Sequence, residues 1–149
     1  MSFFDAINIS ATGLTATTTE MDVTAENLAN AQSTNNGNPY KPQAVELSTI
    51  GSNNSFQAQL AGAMGSGNTD SQVGGVEVSG IVSENVPNQQ VYDPGSPDAN
   101  AKGYVEEPDI QPVTEMTNLI SESDSYQADV TAMDTTKQMY TSALNLLQL

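Results

Sequence analysis

The chain has 149 residues and carries 18 acidic side chains against 3 lysines and no arginine, for a formal charge of −15. Phosphate contacts need cations, so this balance excludes nucleic acid as a partner and disfavours anionic membrane surfaces. With no Cys and no His there is no disulfide framework, thiol nucleophile, zinc–thiolate site or imidazole base.

Apolar residues make up 37% of the chain and aromatics 5%, which suits a modest core at best. The opening "MSFFDAINIS" has neither a basic segment nor a long apolar run, so it does not read as a cleaved secretory signal. Ser2 followed by Asp5 is a capping-box pattern, and it starts a helix expected over about the first 30 residues. Phe4, Ile7, Ala11, Leu14, Thr18, Met21, Ala25 and Leu28 recur at alternating steps of 3 and 4, a heptad seam. Gly13 and the run Thr17, Thr18, Thr19 work against helix propensity. Alone, such a helix is marginal, and its large apolar residues stabilise it only where a partner covers them. Asn27 and Asn30 flank Leu28, and Asn30 is a plausible helix stop. A buried amide must find partners, so both asparagines are read as register-setting polar contacts rather than catalytic groups.

The middle of the chain is different material. All 7 prolines fall between Pro39 and Pro112. "AVELSTI" (44–50) and "VEVSGIV" (76–82) show partial alternation and predict short strands, with "QQVYD" and "GYVEE" as weaker candidates. The stretch 51–75 is rich in Gly, Ser and Asn and reads as a long flexible loop; its "FQAQLAGAM" could form a helical turn. "DANAKGYVEEPD" (98–109) partly resembles a calcium loop through Asp98, Asn100, Gly103 and Asp109. Lys102 occupies a ligand position there, and Asp109 replaces the usual Glu, so a solvated turn is expected. No carboxylate pair is marked for glycoside chemistry, and no glycine motif cradles phosphate.

From Pro112, which suits a first helical turn, a second seam begins. It runs Met116, Leu119, Ser123, Tyr126, Val130, Met133, Lys137, Tyr140, Leu144, Leu147. The two helices would be about 40 Å and about 50 Å long. The expected fold is mainly α with a small β-rich insert. It divides into an N-terminal helix and turn (1–37), a loop-rich β domain (38–111) and a C-terminal helix (112–149) packing on the first. A heptad stripe most often serves an intramolecular hairpin. Here the helices sit at the chain ends, the seam runs to the last residue and the middle is poor in apolar residues, which favours partners outside the chain.

Three stretches carry a family resemblance. "AENLANAQST" (25–34) resembles the N-terminal signature of the flagellar axial proteins, the rod and hook family. "DSYQADVTAMDTTKQM" (124–139) is similar to that family's C-terminal signature. "VYDPGSPDANAKGYVEEPDIQPVTEM" (91–116) resembles its short proximal-rod members. Asp124 stands where the family usually has Arg, and Asp129 and Asp134 where Asn is usual.

The resemblance implies a non-enzymatic subunit without cofactor, metal or small-molecule ligand. Its terminal helices would pack as a coiled-coil hairpin in a tubular assembly, with the insert outside. The implied partners are further copies, other rod proteins, basal-body ring and hook–basal-body adaptor proteins, and the type III export apparatus. The implied location is the rod in the periplasm, reached without a cleaved signal. The implied assembly residues are Phe4, Ile7, Leu14, Met21, Asn27, Leu28, Asn30, Met116, Leu119, Tyr126, Val130, Met133, Lys137, Tyr140, Leu144 and Leu147. A second reading, from another class, is a secreted binding module or adhesin that uses the β insert.

Overall fold

The computed structural model of the chain describes residues 3–34, 38–50 and 74–146. Ser2, Leu147, the "FQAQLAGAM" turn and most of the 51–75 loop lie outside them. The fold mixes helix and strand. Helix α1 (Phe3–Ala29) is followed by β1 (Gln43–Thr49), β2 (Val76–Ser83), β3 (Gln89–Tyr92), β4 (Tyr104–Glu107) and helix α2 (Pro112–Leu146).

Both helices are rich in threonine, a residue that competes with helical backbone bonding. In α1 the competition is settled inside the helix. The hydroxyls of Thr15, Thr17, Thr18 and Thr19 donate to carbonyls four residues back, at 2.7–3.0 Å. Thr117, Thr131, Thr135, Thr136 and Thr141 do the same in α2. Asn30 closes α1, its N–H and its Nδ2 both donating to the Glu26 carbonyl, at 3.0 and 2.9 Å. Gln111 opens α2, its carbonyl accepting from Thr114 and Glu115, with Pro112 in the first turn, where its missing N–H costs nothing.

The strands form two separate antiparallel pairs, β1–β2 and β3–β4. The first pair shifts register between Glu46 and Leu47, which leaves Ser79 as the extra residue. Its hydroxyl donates to the Glu46 carbonyl at 2.9 Å. That bulge is why "VEVSGIV" alternates only in part. In the second pair Tyr92 faces Tyr104, the rings edge-on at 5.2 Å. The turn between these strands is built by Asn100, whose Oδ1 accepts from the N–H of Lys102 (2.9 Å) and of Tyr104 (3.1 Å). Gly103 supplies the left-handed backbone there, with φ 78°. Asp98 accepts from the Thr34 hydroxyl. Two of the side chains that resembled a calcium loop, Asp98 and Asn100, thus hold the turn and tie it to the segment after α1.

The helices run antiparallel, with Phe4 beside Tyr140, Gly13 beside Asp129 and Thr24 beside Glu122. The β1–β2 ribbon packs on another face of α1, where Val76 N–H donates to Thr12 Oγ1. The core is small. The buried apolar residues among those described are Ala16, Val23, Ala31, Val105 and Ile110, and α2 contributes none.

Candidate assembly interface

The seven-residue repeat holds on both helices, but the covered stripes differ from those expected. On α1 one covered stripe is Ala6, Ser10, Gly13, Thr17, Glu20, Thr24 and Asn27, continued by Ala31 after the helix, with Ala16 and Val23 buried beside it. The stripe lies one residue before Ile7, Ala11, Leu14, Thr18, Met21, Ala25 and Leu28. Ile7, Leu14, Met21 and Leu28 are half-buried at its margin, and Ala11, Thr18 and Ala25 are exposed. Phe4 is 60% exposed, although its ring lies 5.6 Å from that of Tyr140. The physical reason is that α1 has two neighbours, α2 and the ribbon. The buried arc centres between them, and small residues let both approach. A Cβ on Gly13 would come within 2.7 Å of Asp129 Oδ2.

On α2 half of the expected seam is kept. Leu119, Met133 and Tyr140 are half-buried, and Tyr126 is borderline at 37% exposed. The other half shifts back by one residue. Glu115, Glu122, Asp129, Thr136 and Ala143 are covered, while Met116, Ser123, Lys137 and Leu144 are exposed; Val130 alone of that set is half-buried. Leu144 has a further reason to be exposed, at 41%. Phe4, near the start of α1, stands opposite Tyr140, so the last turn of α2 lies beyond the described part of α1. Met116 faces away from α1, and with Val113 and Ile120 it forms an uncovered apolar strip at steps of 3 and 4.

Asn27 is 6% exposed and finds its partners within the chain. Its Nδ2 donates to the Gln43 carbonyl at 2.8 Å, and its Oδ1 accepts from Gln43 N–H at 2.9 Å and from Tyr40 Oη at 3.1 Å. The amide thus pairs with the first residue of β1 as a neighbouring strand would. It fixes where β1 sits on α1. Lys137 is exposed and its ammonium makes no ion pair among the described residues.

Sequence reasoning missed Thr24 and Glu122, which link the helices by a 2.9 Å hydrogen bond. The available signal was a polar residue one place before a seam position on each helix. Around them, burial raises the carboxyls of Glu20 and Glu115 above the ordinary carboxylate value, and the charge of Glu122 adds to both shifts. Among the described residues no His, Cys, Asp or Glu group could hold a metal ion, and no helix is long and apolar enough to cross a membrane.

With this geometry in hand, comparisons with known proteins are specific. Residues 101–146 match the family described as flagellar basal body rod FlgEFG protein C-terminal. The whole chain is similar to the flagellar basal-body rod protein FlgC of Bacillus subtilis (strain 168), at 43% identity over 98% of this chain and 99% of the relative. It is 36% identical to the protein of the same name from Escherichia coli O157:H7, over 99% of this chain and 100% of the relative. The Borreliella burgdorferi protein of that name is also 36% identical, over 99% of both chains.

Proposed function

The chain belongs to the FlgC family of flagellar basal-body rod proteins, and from that premise we propose how it builds the rod. It is a structural subunit of the flagellar proximal rod, and its helices form a coiled-coil hairpin set among those of its neighbours. One observation carries the assembly reading: apart from Val23, the covered face of α1 is made of small and polar residues, while Ile7, Leu14, Met21 and Leu28 stand beside it half-covered. Large apolar side chains at the margin of a two-helix contact are placed to meet a third helix. Leu144 and Phe4 add to that surface, and Met116 offers a second one with Val113 and Ile120.

Leu119, Tyr126, Val130, Met133 and Tyr140 hold α2 on α1 and turn its other faces outward, and Lys137 offers a cation to an acidic neighbour. Asn27 and Asn30 fix the end of α1, so that β1 leaves the helix at one angle. The partners are further copies and other rod proteins, then ring and adaptor proteins along the shaft and the export apparatus that delivers the chain to the periplasm. Torque passes through the helices because neighbours hold them in register. The role is structural and no reaction is assigned to it. Identity of 43% over nearly the full length of a rod protein favours this reading over an adhesin built on the β insert.

Leu144→Asp tests it. The change sits in the last turn of α2, away from the packed part of α1, so it spares the fold of the single chain. The expected outcome is normal export with loss of intact rods from isolated basal bodies. Intact rods carrying Asp at this position would remove Leu144 from the interface.

A further inference from the structure

Where α1, the start of β1, the end of β2 and the first third of α2 meet, they enclose a cavity of about 280 Å³. Glu20, Glu84, Asp109, Glu115 and Glu122 line it, and none of the three lysines does. Glu122 is satisfied at one oxygen only. Its Oε1 accepts from Thr24 Oγ1 at 2.9 Å, while its Oε2 is wholly buried and has no hydrogen-bond partner. An ionised oxygen in that position is costly unless a donor reaches it. The wall also has apolar stretches, at Val23, Val45 and Ile110. No three of the described carboxylates gather closely enough to hold a metal ion. An elongated organic cation matches this lining better than a bare ion does: methylenes against the valines and isoleucine, charge at the carboxylates.

We propose that the cavity receives one lysine or arginine side chain from a neighbouring rod subunit, whose donors satisfy Glu122 Oε2. The proposal rests on the rod reading, because the chain's own cations do not reach the site and a neighbour must supply one. It also gives the acidity a purpose. The isolated chain carries like charges packed together at its helix junction, and docking relieves their repulsion. Assembly is thereby favoured over a settled monomer.

Glu122→Gln separates this from a purely structural role. The amide keeps the size of the side chain and can still accept from Thr24, but it removes the charge. The dilute variant is expected to melt a few degrees higher than the unsubstituted chain, about 2–4 °C, because repulsion at the junction falls. In cells the same variant is expected to give about tenfold fewer intact rods in isolated basal bodies, because a buried charge pair across the interface is lost. Rods as numerous as in the unsubstituted strain would overturn the proposal. So would a lower melting midpoint together with lost rods, which would mark Glu122 as structural. A rise in midpoint with magnesium chloride over sodium chloride at equal ionic strength, absent in the variant, would assign the cavity to a metal ion instead. Absence of the unsubstituted chain from basal bodies would overturn the rod reading itself, and the cavity's occupant with it.

Discussion

Asn27 shows how one side chain can settle a junction. Its amide makes three hydrogen bonds, two to the backbone of Gln43 and one to Tyr40. Replacing it with Ala would strand the N–H and carbonyl of Gln43 beside a helix that offers no other partner. Asn27→Ala is expected to cost about 2–3 kcal/mol, measured by urea unfolding, since buried backbone groups lose their partners. A change below about 0.5 kcal/mol would mean that water replaces the amide at no cost. Part of this was legible in the sequence. A polar residue beside an apolar stripe, followed by Asn30 and a turn, marks a helix end with a buried amide. The identity of the partner was not legible, because Gln43 comes 16 residues later, across a polar turn, and no local pattern fixes where the chain returns.

At the scale of elements, the covered stripes are where sequence and structure part company. Counting apolar residues located both helices and their seven-residue repeat. It placed the stripe one residue too far along α1 and along half of α2, because the count assumes one partner per helix and apolar contact. Here α1 is flanked by both α2 and the ribbon, and polar and small residues make the closest approaches: Thr24 with Glu122, Gly13 with Asp129. Ile7, Leu14, Met21 and Leu28, which the count found, remain half-open. The four strands were legible from alternation and turn residues, apart from the bulge at Ser79. A measurable consequence concerns the end of α2. Ser142 to Leu146 lie past Phe3, where the described part of α1 begins, so their amides should exchange with solvent much faster than those of the packed turns when the chain is dilute. The same amides should be strongly protected in isolated rods, since helix ends gain stability from packing rather than propensity. Equal protection in both states would show that the end of α2 is stable without neighbours.

For the whole molecule, charge and a small core set the balance. The chain carries −15, and its buried apolar residues among those described include two alanines. Burial, with added repulsion from Glu122, raises the carboxyls of Glu20 and Glu115 in the folded chain above the unfolded value of 4.5. The folded state therefore binds protons more readily than the unfolded state just above that value. The stabilisation these groups give is fully present below 4.5 and is lost as pH rises through their folded values. The dilute chain should consequently have a higher urea midpoint at pH 5 than at pH 7, and Glu20→Gln should flatten that difference. A midpoint that rises toward pH 7 would contradict this account of the junction.

The central claim is that a weakly packed chain of the FlgC family completes its core with its neighbours. A density map of the rod in isolated basal bodies tests it most directly. In that map Leu14, Met21 and Leu144 should each lie within about 4.5 Å of apolar atoms of adjacent subunits. A rod in which these three side chains face solvent, with α1 and α2 touching only each other, would contradict it.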